Sequence, residues 1–592
     1  MSDEAAMIEP QRITEHRGSD DLLSGGLGLE GLRSTAAPAF ADPIAPTPAE
    51  SRRRALWSNW RGIADLSPSG GYGSEYGSVA NVPGREFAAL ATLPGARQPH
   101  RVLVQVPDAF DRRRRCVVVS ASSGSRGIYG AIAVAGAWGL PRGYAVAYTD
   151  KGAGADYFDL DTGTGVRLDG TRGTAGEALA FMPEAPASAS GVAFKHAHSA
   201  DHPEADWGRH VKQAAEFALA ALSRAFPDAP AFTFDNTRVI AVGLSNGGGA
   251  VLRAAELDGD WLDAAVAAAP NVFIDASGAR ALYDYATQAA LLMPCALLHL
   301  SPDSLPEPSL RARSEAAWKA RCASLRQAGL ISGDRVPAQA ASACQQLRDS
   351  GWTEVALSAG ALSVGFDLWR AIAVTYSAAY ARAGVAHPCG YRFSAQAADG
   401  TARAATAAER AAWFADGSGI PPGAGVGVLD PCPNVAGESA ADPAFAGLKR
   451  LRGLLDPSAG RAFGQALAAT AASPPRERLP VVVIHGLDDG LIPAAFSSAP
   501  YVAAARAAGR SVGYWQVRRA QHFDSFLALP AYGARHVAML PYVYAALDRV
   551  DACLDGLVGP PADAFIDAVP RGTRQVQAGG FKFPAARARP LG

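Results

Sequence analysis

The chain has 592 residues, 49% apolar and 19% charged, with a net charge of −1. That composition gives ample material for a large core and excludes a low-complexity, disordered polymer. A balance of 55 basic against 56 acidic residues also excludes a nucleic-acid binder that works through a broad basic face. The first ten residues are acidic and contain no apolar h-region, so the sequence as written carries no secretory signal and a cytoplasmic location is expected. Residues 1–50 are rich in Ala, Pro, Gly and Asp, and 1–99 read as an extended N-terminal region. From residue 100 short Val-rich runs appear, at 102–106, 116–120, 144–148 and 238–242. Runs that are apolar at successive positions predict strands buried on both faces, as in a parallel sheet. Residues 207–225 carry apolar positions three and four apart, the spacing of a helix. Strands alternating with helices predict an α/β fold.

Residues 273–475 have a different texture. Ala, Arg, Leu and Gln dominate, and 310–328 and 336–348 read as amphipathic helices, interrupted by a Gly/Pro loop at 416–437. The longest stretch free of Asp, Glu, Lys and Arg, residues 285–302, contains Gln288, Pro294 and His299 and is too interrupted for a membrane span. Strand texture returns at 480–484 and 512–517, and residues 561–592 are a Pro- and Arg-rich tail. The expected organisation is therefore an α/β core over 100–272 and 476–560, with a large helical insertion at 273–475. Seven Cys residues are scattered with no CxxC pair, which indicates neither a zinc nor a redox centre. The odd count excludes complete internal pairing, and a disulfide around Cys389 and Cys432 is an open expectation.

The segment Gly243-Leu244-Ser245-Asn246-Gly247 follows a predicted strand and precedes a predicted helix. This is the G-x-S-x-G nucleophile elbow. The turn is tight, so small residues must flank the Ser, whose oxygen then stands at a helix N-terminus where N–H groups stabilise negative charge. A second match, Gly509 to Gly513 around Ser511, lies between a helix and a strand and reads as a helix C-cap. The second signal is His485-Gly486-Leu487-Asp488-Asp489-Gly490-Leu491-Ile492-Pro493, after an apolar strand. Its pattern resembles the acid loop of α/β-hydrolases and selects Asp489 over Asp488; the alternative is a loop-capping Asx turn. His485 closes the strand and reads as structural. The third signal is His522, in Gln521-His522-Phe523-Asp524 after the next strand. The chain order Ser245, Asp489, His522 is that of the α/β-hydrolase fold. In this reading Ser245 is nucleophile, His522 the base and Asp489 its orienting acid. The oxyanion donors expected are the N–H of Asn246 and that of Ser123 or Gly124, in a Ser/Gly-rich loop after an early strand. That loop lacks the Gly-Lys-Ser/Thr ending of a phosphate loop. His196, His198, His202 and His210 form a cluster that reads as a solvated loop or site wall, with a metal site as the minority alternative.

Several long segments resemble the D-(−)-3-hydroxybutyrate oligomer hydrolase family: residues 119–131, 147–152 (with Asp150-Lys151-Gly152), 203–209 and 243–249, the regions of Asp489 and His522, and the lead-in over 21–50. The likeness spans nearly the whole chain, and the family's active-site Ser falls on Ser245. The resemblance implies a serine esterase that cleaves short oligomers of (R)-3-hydroxybutyrate to monomer, downstream of the depolymerase that attacks the polymer. It implies an α/β-hydrolase core with a helical cap, an oligoester substrate as the small-molecule partner, and no metal or organic cofactor. Two other readings stand beside it. One is a related esterase or peptidase; tannase and feruloyl esterase relatives carry Cys beside Ser and His, where this chain has Leu244 and Gln521. The other is a non-catalytic binding protein of the same fold, which would tolerate loss of a triad residue.

Overall fold

A computed structural model describes residues 8–430, 441–459 and 461–584. Its largest feature is a mixed sheet of ten strands. In chain order these are β1 (Arg12–His16), β2 (Gly84–Ala91), β3 (His100–Pro107), β4 (Cys116–Ala121), β5 (Ala145–Thr149), β6 (Arg238–Leu244), β7 (Ala264–Ala268), β8 (Val481–Gly486), β9 (Val512–Val517) and β10 (Ala564–Ile566). Across the sheet they run β1-β2-β3-β5-β4-β6-β7-β8-β9-β10. Pairing is antiparallel from β1 to β5 and parallel from β5 to β10.

The helices that position the site are α1 (Pro48–Ile63), α2 (Pro203–Ala225), α3 (Asn246–Ala255), α4 (Leu282–Ala296), α5 (Pro308–Gln327), α6 (Val336–Asp349), α7 (Leu368–Tyr380), α8 (Ser498–Ala507) and α9 (Leu540–Leu554). The predicted strand runs fall in β3 to β6, β8 and β9, and the predicted helices in α2, α5 and α6. The Val-rich runs lack alternation because both faces of the sheet are covered. Val118, Ile240, Val242 and Ile484 pack with Trp60 of α1 and Val543 and Leu547 of α9. Their neighbours Val117, Val119, Val239 and Val483 pack on the opposite face with Val211 and Phe217 of α2 and Val251 of α3. Each fully buried side chain of this size contributes about 2 kcal/mol, so this two-sided burial decides where the strands lie.

Residues 1–99 differ from the extended region expected. β1 and β2 extend the sheet, and α1 lies against its face. The helix begins at a capping box: Thr47 Oγ1 accepts from the Glu50 N–H, Glu50 accepts from the Thr47 N–H, and Pro48 occupies the first turn. The Pro- and Ala-rich composition hid that local signal. The segment is also tied in by charge. Buried Arg52 of α1 donates to both oxygens of Glu86 in β2, at 3.0 and 2.8 Å. At the other end, β10 adds the far edge strand inside what read as a tail. Within the Gly-rich stretch 150–206 a four-stranded antiparallel sheet forms from Tyr157–Asp159, Thr164–Val166, Arg172–Thr174 and Val192–Phe194.

Between β7 and β8 lie α4 to α7, shorter helices, and a three-stranded antiparallel sheet of Arg392–Gln396, Ala402–Arg403 and Val426–Leu429. The last of these strands lies inside the expected 416–437 loop; residues 431–437 fall outside the described residues. Tyr285, Met293, Leu347, Trp369 and Ile372 share one apolar core with Leu491, Ile492 and Phe496, which follow β8. The segment therefore packs against the loop that leaves the C-terminal end of β8. Among the described residues its disulfide is Cys295–Cys322, joining α4 to α5. Cys389 forms no disulfide among the described residues, and Cys432 lies outside them.

Candidate active site

The turn from β6 to α3 places Ser245 at φ 60°, ψ −122°, a sparsely populated conformation for a residue with a side chain. Two neighbours explain why glycine flanks it. A Cβ on Gly243 would stand 2.2 Å from the Gly247 carbonyl oxygen, and one on Gly247 2.4 Å from the Ala121 oxygen. The turn is held by the Ser245 N–H donating to Ala268 O at 2.9 Å and the Asn271 N–H donating to Ser245 O at 2.9 Å.

Three strand ends converge there. His522 Nε2 lies 2.9 Å from Ser245 Oγ, and His522 Nδ1 lies 2.8 Å from Asp489 Oδ2. The other carboxylate oxygen, Asp489 Oδ1, accepts from the N–H groups of Leu491 (2.8 Å) and Ile492 (2.7 Å). Burial alone would raise the Asp489 pKa, but the charge of His522 and hydrogen bonds from His485 and His522 outweigh it and hold the carboxyl well below its usual range. An ionised carboxylate only accepts, so Nδ1 carries the proton and Nε2 is free to accept from Ser245. Such a chain can move the Ser245 proton onto imidazole.

Asp488 instead faces His536 Nδ1 at 3.6 Å. His485 is buried and its Nε2 lies 2.8 Å from Ile492 O and 3.4 Å from Asp489 Oδ2, so it braces the acid loop. Ser511 lies between α8 and β9, at the opposite end of β9 from the loop that carries His522.

Ser123, Gly124, Ser245, Asn246 and His522 line one cavity, which encloses about 690 Å3 of empty space including its opening. Asn246 occupies the first position of α3, where a helical N–H has no partner within the helix. Among the described residues the N–H groups of Ser123 and Gly124 donate no hydrogen bond within the protein. The opposite wall is apolar, with Leu282, Leu368, Ile372 and Ile420.

Three features of this site were not read from the sequence. Lys151, fully buried, spends its ammonium on the 122–124 loop: it donates to Ser122 O at 2.6 Å, Ser122 Oγ at 2.9 Å and Gly124 O at 2.7 Å. Burial pushes its pKa down to about 7, against the pull of Asp150 and Glu204. In a trans peptide C=O and N–H point apart, so binding Ser122 O turns the Ser123 N–H away from Lys151. Tyr376 of α7 accepts from Asn246 Nδ2 at 2.8 Å. Gln521 locks the histidine loop, accepting from the Phe523 N–H at 2.5 Å and from Tyr532 OH at 2.5 Å. A lone Lys or Tyr has no spacing signature, so Lys151, though within the segment 147–152, was given no role, and nothing marked Tyr376.

The His cluster is buried rather than solvated. His196 bridges Ser125 Oγ and Glu204 Oε1, and His202 Nδ1 lies 3.3 Å from Glu204 Oε2. Burial would raise the Glu204 pKa, but His196 and His202 hold it well below the carboxylate range. His198 accepts from the Phe194 N–H at 2.8 Å, and His210 Nδ1 lies 3.0 Å from Asp206 O. These rings are spent on hydrogen bonds, that of His196 to Ser125 bracing the 122–125 loop. No group of three His, Cys, Asp or Glu able to hold a metal occurs among the described residues. No single helix among them is long and apolar enough to cross a membrane.

Comparison with known proteins follows the same line. The model of the family described as 3HB-oligomer hydrolase matches residues 4–591. D-(−)-3-hydroxybutyrate oligomer hydrolase of Cupriavidus metallidurans is 37% identical, over 98% of this chain and 89% of that protein. The protein of the same name from Burkholderia vietnamiensis is 38% identical, over 95% of this chain and 88% of its own length. Among solved structures, the rice cell wall degrading esterase LipA from Xanthomonas oryzae is similar at a TM-score of 0.35 and 11% identity, covering 80% of this chain and 92% of that one.

Proposed function

The chain belongs to the 3HB-oligomer hydrolase family, and from that membership we propose that it is a carboxylic ester hydrolase that cleaves (R)-3-hydroxybutyrate oligomers to monomer through Ser245, His522 and Asp489. The observation that carries the catalytic assignment is the hydrogen-bonded chain Ser245–His522–Asp489 opening onto a mostly apolar cavity. Ser245 Oγ attacks the ester carbonyl while His522 Nε2 takes its proton. The oxyanion accepts from the Asn246 N–H and from the loop after β4. The binding of Ser122 O by Lys151, which leaves the Ser123 N–H turned the other way, favours Ser123 over Gly124 as that second donor. The acyl C–O bond then breaks, and His522 protonates the departing 3-hydroxyl oxygen. Water, deprotonated by His522, attacks the acyl-enzyme and frees Ser245. Asp489 stays ionised and stabilises the imidazolium at each step.

Residues 273–475 act as a cap on the α/β core at 100–272 and 476–560. The shared apolar core of α4, α6 and α7 with Leu491 and Ile492 supports this, because a wall packed onto the strand ends excludes water from the ester. The methyl and methylene groups of the oligoester match the aliphatic wall.

The test is release of 3-hydroxybutyrate from purified dimer and trimer by the wild type and by Ser245→Ala, with a p-nitrophenyl ester as control. Monomer from the wild type alone is the expected result. Activity of the wild type on the p-nitrophenyl ester but not on either oligomer would overturn the substrate; equal activity of the two proteins would overturn the nucleophile.

A further inference from the structure

Arg126 is the one permanently charged side chain lining the cavity over Ser245. Its guanidinium donates to two backbone carbonyls, those of Gly417 and Gly62, the latter at 3.0 Å. Among the described residues no carboxylate lies within ion-pair distance of it. The nearest in charge is Asp416, whose oxygens are occupied elsewhere: they accept from Tyr157 OH at 2.7 Å and from the N–H groups of Ser418 and Gly423 at 3.1 Å each. Burial lowers the Arg126 pKa to about 10 against the pull of Asp416, still far above neutrality, so the side chain is a cation with no carboxylate in direct contact among the described residues. A guanidinium offers five N–H donors, and a charge removed from water is costly until an anion meets it. The two carbonyls take only part of these donors and leave others over.

We propose that Arg126 binds the free carboxylate of the oligoester substrate, so that the enzyme recognises a chain end. This rests on the esterase reading of the Ser245 site. A 3-hydroxybutyrate oligomer carries one anionic group, at its carboxyl terminus, and is otherwise methyl, methylene and neutral ester. The cavity mirrors that distribution: one guanidinium in a wall whose apolar half is Leu, Ile and Phe. The planar fork of Arg matches a carboxylate bidentately, which a point charge does not.

The experiment compares the (R)-3-hydroxybutyrate dimer as free acid with its methyl ester, using the full chain. Wild type is expected to favour the acid in kcat/KM by about 30-fold, the usual value of a charge-assisted pair. Arg126→Met should lose that preference, through KM of the acid, while its rate on the methyl ester changes little. Arg126→Lys should keep part of the preference. Gly62→Ala disturbs the same group from behind, since a Cβ there would stand 2.1 Å from an Arg126 guanidinium nitrogen, and should weaken the acid selectively. If wild type cleaves acid and methyl ester equally, or if Arg126→Met slows both alike, Arg126 is only a clamp on its carbonyls and the inference fails while the oligoester reading stands. If wild type cleaves neither dimer but does cleave a p-nitrophenyl ester, the substrate reading itself fails and this inference falls with it. The wild-type ratio decides the matter even where a variant does not fold.

Discussion

The two walls of the cavity are held by different physics. On the sheet side every group is fixed by directional bonds: Ser245 by its backbone turn, Asp489 by two N–H groups, the 122–124 loop by the Lys151 ammonium. On the other side α4 and α7 contribute Leu282, Leu368 and Ile372, packed by shape and apolar burial. Asn246 is linked to that side through the Tyr376 hydroxyl, 2.8 Å from its Nδ2. A directional wall fails when one atom moves, whereas an apolar wall tolerates exchange of side chains at constant volume. Substitutions on the sheet side should therefore act on kcat, and those on the helical side on KM and stability.

The largest expected effect is that of Ser245→Ala, a loss of about 10⁴-fold or more in kcat for the dimer with unchanged thermal unfolding. Lys151→Met comes next. It leaves the carbonyls of Ser122 and Gly124 without their donor, so kcat should fall about 100-fold, the usual effect of a lost oxyanion donor, with KM within a few fold. A steady-state comparison checks the split; a rise in KM with kcat preserved would show that the loop binds substrate rather than stabilising charge.

The same contrast explains what the sequence revealed. The α/β core was legible because two-sided burial writes continuous apolar runs, as at Val117–Val119 and Val481–Ile484. Ser245, Asp489 and His522 were legible because each follows a strand, and because the elbow demands glycine at 243 and 247. The structure also separates Asp489 from Asp488, through a distance of 2.8 Å to His522 that no spacing rule supplies. Lys151, Tyr376 and Arg126 had no role assigned from the sequence: Lys151 and Tyr376 reach the site across the fold, and Arg126, in the loop of Ser123 and Gly124, has no spacing signature. The N-terminal region misled because Ala and Pro masked the Thr47–Glu50 capping box, and because β1 joins the sheet only through pairing with β2. The Cys295–Cys322 bridge was hidden because helix packing, not spacing, brings the two thiols together.

Two substitutions sharpen the comparison from the helical side. Cys295→Ser removes a cross-link between residues 27 apart, and should lower the unfolding free energy by about 3 kcal/mol in the chain-entropy account. Urea unfolding reads this, and kcat for the dimer should stay within a few fold. A collapse of kcat would mean that the helical segment orients the catalytic groups directly. Tyr376→Phe should cost less, about 1 kcal/mol, because the buried Asn246 amide loses an acceptor. Its effect on kcat measures how far this polar contact couples the two walls.

A dependence of stability on pH, spread over several units, also belongs to the sheet side. Asp524, two residues beyond His522, is buried and accepts from the N–H groups of Met539 (2.8 Å) and Leu540 (2.9 Å) at the start of α9. Burial pushes its pKa from 3.8 up to about 7; the two N–H groups pull it down without compensating, and Asp65 adds to the rise. Between those values the folded chain holds a proton that the unfolded chain has released. Unfolding then frees a proton, so this group's contribution falls as pH rises from about 4 to 7, by about 1.4 kcal/mol per unit at most. His100, whose pKa burial lowers to about 4, works the other way over much of the same range. The total slope is therefore ambiguous, and the difference between wild type and Asp524→Asn is not. Asn resembles the protonated carboxyl, so the variant should match wild type near pH 4 and exceed it increasingly toward pH 7 in urea unfolding. A constant difference across that range would mean that Asp524 is ionised throughout and that its two N–H donors outweigh its burial.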